Sequence, residues 1–116
     1  MTQRDPTQIK DGQIRAAAME TPILERAEEF ELTRAWCEEG CHAARERLIL
    51  AHQKLVLGQA KRFKRTGVPF QDLVNEGNCG LMRALETFDP SQGHRFATYA
   101  GWWVRTFVQD FALSSM

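Results

Sequence analysis

An all-α fold, a compact bundle of about four helices with short connections, is predicted by three observations. The 116 residues are 43% hydrophobic and 26% charged, which suits one globular domain that buries a core. Only four prolines and eight glycines interrupt the chain. Apolar residues recur at helical spacing, and no alternating apolar and polar run is long enough to indicate a sheet.

Start and stop signals divide the first half of the chain. Residues 1–20 are polar and aperiodic, so we expect a flexible lead or a loosely attached helix before a domain spanning residues 21–116. A first helix is expected to open at Thr21-Pro22 and to end at Gly40. A second is expected over about 41–65, where residues 66–69 break it. The predicted apolar face of the first helix comprises Leu24, Ala27, Phe30 (or Glu31), Leu32 and Ala35.

Two longer helices are expected in the second half. The third covers about residues 70–88, with apolar Leu73, Val74, Leu81, Leu85 and Phe88. Residues 89–93 carry aspartate, proline, serine and glycine and predict a turn. The last helix begins near Phe96 and continues to the end of the chain.

Charge and cysteine content narrow the function classes. Net charge is zero, but residues 1–47 carry seven basic and ten acidic side chains, and residues 48–116 carry eight and five. The basic second half permits contact with phosphates without requiring it. No leader peptide or membrane span is predicted, and three cysteines in no scaffold pattern suit a reducing cytoplasm. The carboxylates of Glu28, Glu29 and Glu31 have no catalytic partner and are interpreted as surface groups, so no enzyme is expected.

The last helix concentrates the aromatic residues. Its helical phase places Phe96, Tyr99, Trp103, Phe107 and Phe111 on one face with Ala100 and Val104, which is typical of a core stripe. Trp102 falls on the opposite face, among Thr98, Arg105, Thr106 and Gln109. An exposed tryptophan in polar company indicates a binding surface, either for stacked nucleobases or for a protein partner.

Two other clusters have alternative interpretations. Cys37, Cys41 and His42 have ligand-like spacing but lack a fourth ligand, so thiol chemistry or chance is preferred to a metal, and no metal or cofactor is expected. The basic run at residues 61–65 is either a solvated face or a contact for nucleic-acid phosphates.

Two segments carry a resemblance to a known family. The runs DLVNEGNCGLMRALETFDP (residues 72–90) and GHRFATYAGWWVR (residues 93–105) closely resemble region two of bacterial sigma-70-family transcription initiation factors. Residues 43–67 resemble the start of that region, and residues 22–40 resemble the conserved part of region one. The stretches at 28–36 and 109–115 are more similar to heat-shock-type alternative factors than to the housekeeping type.

The resemblance implies two binding functions and no covalent chemistry. The helix from residue 70 to 88 would dock on the clamp helices of the β′ subunit of core RNA polymerase. The matching positions are Leu55, Val56, Asp72, Asn75, Glu76, Asn78 and Met82. The last helix would recognise and melt the minus-ten promoter element by capturing flipped bases of the non-template strand.

Individual promoter-reading roles also follow from the resemblance. Phe88, Asp89, Tyr99 and Trp102 match a pocket for the flipped adenine, and Trp102 with Trp103 matches a wedge at the upstream edge of the bubble. Thr106 and Gln109 match positions at the last duplex base pair, and Arg95 and Arg105 would hold phosphates. Phe96 and Thr98 complete the expected DNA-binding set.

Departures from the family pattern qualify this expectation. His94 replaces a common aromatic residue, Gln92 a basic residue and Gln53 a leucine. Nothing matches the later regions, including the minus-thirty-five reader, so we expect a fragment, with a naturally short protein as the alternative. The rival function is a protein-interaction module that binds polymerase or an anti-sigma regulator without opening DNA.

Overall fold

The computed structural model describes residues 24–115, which form five α-helices and two short 3₁₀ turns and contain no strand. The helices are α1 (Arg26–Glu39), α2 (His42–Ala51), α3 (Gln53–Arg62), α4 (Phe70–Thr87) and α5 (Phe96–Ser114), and the turns are Lys64–Thr66 and Pro90–Gln92. The all-α prediction is confirmed, but the expected number of about four helices is one too few. Within this part of the chain, no helix combines the length and the hydropathy needed to cross a bilayer.

The additional helix arises because the predicted second helix breaks at His52. The backbone N–H of His52 turns to the carbonyl of Ile49 at 3.3 Å, and φ at this residue is −110°. The His52 ring donates from Nδ1 to the carbonyl of Leu48 at 2.7 Å, and Gln53 Nε2 donates to the carbonyl of Ile49 at 2.9 Å. In a continuous helix, the carbonyls of Leu48 and Ile49 would accept hydrogen bonds from the backbone N–H groups of His52 and Gln53. Because the two side chains donate to these carbonyls instead, the helix is interrupted and begins again at Gln53.

Helix α1 begins at Arg26, whereas the predicted opening at Thr21-Pro22 lies outside the described residues. Its predicted end is confirmed. Gly40 has φ of 64°, and the N–H groups of Gly40 and Cys41 donate to the carbonyls of Trp36 and Ala35 at 3.0 and 3.1 Å. This is a left-handed cap that favours glycine because a Cβ would be strained there.

The predicted apolar face of α1 is wrong in its centre. Ala27 and Phe30 are exposed, whereas Glu29 and Thr33 are buried. At this position the helix faces two hydrogen-bond donors, the Arg95 guanidinium and the Phe96 N–H. A carboxylate therefore occupies the inward position.

The core is centred on α4 and α5. The predicted apolar residues of α4 are all buried, which confirms that face. On α5 the most buried residues are Phe96, Ala100, Val104, Val108 and Ala112. The other predicted core aromatics of α5, Tyr99, Trp103, Phe107 and Phe111, are only partly buried.

Close approach of the two helices explains this difference. An ideal Cβ built on Gly80 would lie 2.7 Å from the carbonyl oxygen of Trp103. At Gly77 it would lie 3.3 Å from Val108 Cγ2 and 3.5 Å from Val104 Cγ1. Small and β-branched residues therefore fill the centre of the interface, and the aromatic side chains pack along its border.

Candidate functional site

One exposed stripe runs along α5. Thr98, Trp102 and Arg105 are exposed, and Thr106 and Gln109 are partly exposed beside them. Trp102 has 61% of its surface exposed, which confirms the prediction from helical phase. Arg105 has no ion-pair partner in residues 24–115. Among the described residues, the stripe thus combines an exposed aromatic ring with a positive charge that has no ion-pair partner.

A chain of aromatic contacts supports Trp102 from below. Its ring meets Trp103 edge-on with centroids 5.1 Å apart, and Trp103 is 6.4 Å from Tyr99. Tyr99 in turn packs 5.4 Å from Phe88, and Phe88 packs 5.1 Å from Phe96. The Phe88–Tyr99 pair is tilted and the other three pairs are edge-to-face, a geometry that orients the rings. The exposed Trp102 side chain is therefore packed against rings that reach into the core.

Burial separates the predicted DNA-contacting aromatics. Phe96 has no exposed surface and Phe88 has 9%, so both mainly support neighbouring rings. Tyr99 is partly buried, and its hydroxyl is hydrogen-bonded to Thr87 Oγ1 at 2.7 Å. Trp103 is also partly buried, so Trp102 is the one exposed ring among these five predicted contacts.

Asp89 shapes the connection between α4 and α5. Its carboxylate accepts hydrogen bonds from the Ser91 N–H at 2.9 Å, the Ser91 hydroxyl at 2.7 Å and Gln92 Nε2 at 3.1 Å. The hydrogen bonds from Ser91 and Gln92 lower the pKa of Asp89. The predicted turn is confirmed, and Asp89 directs its carboxylate into that turn.

A buried carboxylate joins α1 to the beginning of α5. Glu29 accepts from Arg95 Nε at 2.8 Å, from Arg95 Nη2 at 3.2 Å and from the Phe96 N–H at 3.0 Å. Burial opposes its charge, but the hydrogen bonds from Arg95 and Phe96 hold the pKa of Glu29 below its ordinary value of 4.5. The interpretation of Glu29 as a surface group is wrong, because α1 packs this side chain against the N-terminus of α5.

This pairing also bears on Arg95. The family resemblance implied that its guanidinium holds phosphates, but the group already donates to both oxygens of Glu29 and to the carbonyl of Leu24 at 3.3 Å. A phosphate would have to share or displace the Glu29 carboxylate. Phosphate binding by Arg95 stays a prediction. Arg105 is better placed to bind a phosphate, because no described acidic side chain pairs with it.

His52 lies on the inner side of this carboxylate. Its ring packs edge-on against Phe96 at 4.9 Å, and Nε2 lies 3.8 Å from Glu29 Oε1. Burial lowers the pKa of His52 below its ordinary value of 6.5, although the Leu48 carbonyl and the Glu29 charge oppose part of this effect. His52 is therefore neutral near neutral pH, donating from Nδ1.

This burial predicts acid sensitivity of the fold. The unfolded chain takes up the His52 proton near pH 6.5, whereas the folded chain resists protonation until a lower pH. The free energy of unfolding is therefore expected to fall as pH drops below about 6.5, with a further fall when Glu29 protonates. Urea unfolding at about pH 7.5 and about pH 5.5 measures the effect.

Substitution of the two histidines tests the assignment to His52. His52→Gln should make the free energy of unfolding less dependent on pH, whereas His42→Gln, at an exposed position, should leave the dependence unchanged. Equal behaviour of the two variants would contradict the assignment to His52.

Two hollows flank the Glu29–Arg95 pair. One, of about 340 Å³, lies between α1 and residues 88–95 and includes Phe30, Phe88 and Pro90. The other, of about 370 Å³, lies beside the break at His52 and includes Leu24 and Leu55. Sequence reasoning missed both because their walls come from segments far apart in the chain. The burial of Glu29 could not be predicted either, because helical periodicity of apolar residues gives no information about a buried charged residue.

The outer face of α4 carries a second stripe. Asp72 is exposed, and Asn75, Glu76 and Met82 are partly exposed on the same side. Two other predicted polymerase contacts are buried: Val56 has no exposed surface, and Asn78 has 1%. The side-chain oxygen of Asn78 accepts a hydrogen bond from Gln53 Nε2 at 2.8 Å. Gln53, which stands where the family usually has a leucine, therefore links α3 to α4. Leu55 is partly buried.

The remaining clusters have local roles. Cys37 Sγ donates to the Phe88 carbonyl at 3.3 Å, and Trp36 packs 5.7 Å from His42. Within residues 24–115, no group of three metal-ligating side chains comes together. Lys61, Arg62, Lys64 and Arg65 are all exposed, and their contact with nucleic acid stays a prediction.

Comparison with known proteins identifies the class of protein that carries these two stripes. Residues 48–115 match the model of Sigma-70 region 2. The match covers more than half of the chain, and the chain therefore belongs to the sigma-70 family. This is a family of non-enzymatic transcription initiation factors.

The similar proteins agree with this membership. RNA polymerase sigma factor RpoH of Rhizobium radiobacter is 40% identical over 94 residues, which are 81% of this chain and 31% of that protein. RpoH of Caulobacter vibrioides (strain NA1000 / CB15N) is 38% identical over 94 residues, 81% of this chain and 32% of its own length. RpoS of Coxiella burnetii is 41% identical over 105 residues, 90% of this chain and 28% of its own length. The chain thus spans about a third of the relatives it matches, and the RpoH matches agree with the expected heat-shock type.

Proposed function

We propose that this chain binds core RNA polymerase and recognises and melts the minus-ten element by capturing flipped bases of the non-template strand. The observation that carries this proposal is the exposure of Trp102 on α5, beside Arg105 and above a chain of packed aromatic rings. The membership of residues 48–115 in Sigma-70 region 2 supports the same conclusion.

Base capture on this stripe provides a physical route to melting. Extruding a base from a duplex costs a few kcal/mol. Stacking on an aromatic ring returns about 1–3 kcal/mol per base. Trp102 is held at a defined angle by Trp103, so little rotamer entropy is lost when a base stacks on it. Capture and opening then become one thermodynamic step, and sequence is read on the unpaired strand.

The neighbouring residues receive complementary roles. Tyr99, with Phe88 behind it and Asp89 at the adjoining turn, would line the space for the flipped adenine. Arg105 would hold a phosphate. Thr106 and Gln109, further along the α5 stripe, would face the last base pair that stays in the duplex.

Polymerase docking is assigned to the outer stripe of α4. Asp72, Asn75, Glu76 and Met82 share that face and combine carboxylate, amide and apolar contacts. The proposed partner surface is the clamp helices of the β′ subunit. Asn78 and Val56 would act from beneath, by holding α3 against α4, because their side chains are buried.

Removal of the Trp102 ring tests the DNA assignment. We expect Trp102→Ala to bind a single-stranded minus-ten oligonucleotide about tenfold to a hundredfold more weakly than the parent chain, because one stacking contact is lost. The measurement is fluorescence anisotropy of a labelled oligonucleotide, with core polymerase present. Leu50→Ala, which trims an exposed apolar side chain on α2, is the matched control and should bind like the parent.

A scrambled oligonucleotide separates sequence reading from charge attraction. The parent should discriminate against the scrambled strand, and Trp102→Ala should lose most of that discrimination. If the parent binds core polymerase but neither oligonucleotide, the chain is an interaction module and the promoter-reading proposal is wrong. If both strands bind equally well to parent and variant, the contact is electrostatic.

A further inference from the structure

An open groove of about 420 Å³ lies along the C-terminal half of α5, with Glu76 of α4 at its side. Phe107 and Phe111 are partly buried and line it, and Glu76 and Asp110 stand beside them on α4 and α5. Thr106 and Ser114 complete the lining. The groove thus combines two aromatic rings with two carboxylates.

Neither carboxylate has an ion-pair partner among residues 24–115. Acidic side chains elsewhere on the molecule do: Glu28 on α1 pairs with Arg47 at 3.5 Å, and Glu86 near the end of α4 pairs with Arg83 at 3.6 Å. Burial raises the pKa of Glu76, so its charge is poorly solvated in the isolated chain. A cation placed between Glu76 and Asp110 would relieve that penalty.

The charge of the groove discriminates between possible occupants. Thr106 belongs both to this groove and to the edge of the proposed DNA-reading stripe, so the two surfaces adjoin on α5. Nucleic-acid phosphates are repelled by a carboxylate pair. A protein helix that carries lysine or arginine beside an apolar side chain matches both features, because the cation faces the carboxylates while the apolar group covers the rings.

We propose that this groove is the α5 half of the polymerase-docking surface and receives a basic helix of core RNA polymerase. The proposal rests on the proposed function and deepens it. Glu76 belongs to the outer stripe of α4 and also lines the groove, so the docking surface continues from α4 onto α5 without a gap. The residues added to that surface are Phe107, Asp110 and Phe111.

Affinity for core RNA polymerase in the absence of DNA tests this proposal. Asp110→Asn is expected to weaken binding of the full chain about threefold to tenfold, since one charge pair at an interface is neutralised. The loss should shrink at high salt because a solvent-accessible charge pair is screened. Glu86→Gln, an exposed carboxylate of α4 outside the groove, is the matched control and should bind like the parent. Circular dichroism of both variants should match the parent because Asp110 and Glu86 are exposed.

Cross-linking identifies the face that is covered. A photo-reactive phenylalanine analogue at Phe111 is expected to cross-link to the β′ subunit, as is the same analogue at Asp72. If the parent binds polymerase and Asp72→Asn weakens binding, while Asp110→Asn does not and position 111 gives no β′ product, the groove proposal is overturned and docking through α4 stands. If the parent does not bind core polymerase, the proposed polymerase function fails, and this inference fails with it.

Discussion

Gly80→Ala is expected to lower the free energy of unfolding by about 3 kcal/mol, the overpacking cost of forcing a methyl group into a filled interface. The new Cβ would lie 2.7 Å from the Trp103 carbonyl oxygen and 3.0 Å from Val104 Cα. Both contacts are to backbone, so no side chain can rotate away and α4 must separate from α5. Urea unfolding followed by far-ultraviolet circular dichroism measures the change.

Other glycines in helices give matched controls. Nothing lies within 4 Å of an ideal Cβ on Gly58, which sits on the exposed side of α3. Gly58→Ala is therefore expected to stabilise the chain by about 0.5–1 kcal/mol, because alanine favours the helix and restricts the unfolded state. At Gly101 the nearest contact would be Leu55 Cδ1 at 3.7 Å, which is ordinary packing. If Gly80→Ala were as well tolerated as these two, the close approach of α4 and α5 would be wrong.

The role of Gly80 shows what helical periodicity can and cannot predict. The pattern of Leu73, Leu81 and Leu85 predicted which face of α4 is buried, because burial of large aliphatic groups dominates the choice of face. The distance between helices does not follow from that pattern. It depends on glycines that leave no mark in an apolar count. The close approach explains why Ala100 and Val104, which were predicted on the core face, are fully buried, whereas Trp103 and Phe107 beside them are only partly buried.

The candidate site was predictable to a similar extent. Trp102 was identified correctly as exposed because it breaks the phase of its own helix. Phe96 and Arg95 were assigned to DNA from the resemblance alone. Helical phase predicted correctly that Phe96 faces the core, but the neighbours of the two residues could not be predicted. Phe96 is enclosed by His52 and Phe88, and Arg95 is engaged by Glu29, a residue 66 positions away in sequence. Contacts at this separation depend on the packing of α1, which local patterns do not specify.

Glu29→Ala is expected to have the second large effect, a loss of about 2–4 kcal/mol in the free energy of unfolding. The substitution removes the acceptor of two Arg95 hydrogen bonds and leaves the Phe96 N–H without a partner at the first turn of α5. The expected loss lies below the usual range for a fully buried pair, because the Arg95 side chain is 38% exposed and can turn to solvent. Urea unfolding at neutral pH provides the measurement.

Glu28→Gln is the matched control for this prediction. Glu28 is the neighbouring residue on α1, but its side chain is about half exposed and pairs with Arg47 at 3.5 Å. We expect its neutralisation to change stability by less than about 0.5 kcal/mol, since exposed ion pairs contribute little. Equal effects of Glu28→Gln and Glu29→Ala would contradict the buried role of Glu29.

Hydrogen exchange then distinguishes a local role from a global one. If Glu29 fastens the start of α5, exchange at the amides of Phe96 and Ala97 should accelerate more in Glu29→Ala than exchange at Val104. Loosening of this end would also release the aromatic contacts that run from Phe96 through Phe88 and Tyr99 to Trp103. The exposed Trp102 rests on the last of these rings, so oligonucleotide binding should weaken in Glu29→Ala even though the substituted residue lies on α1. Unchanged binding alongside faster exchange at Phe96 would show that the stripe on α5 does not depend on this junction.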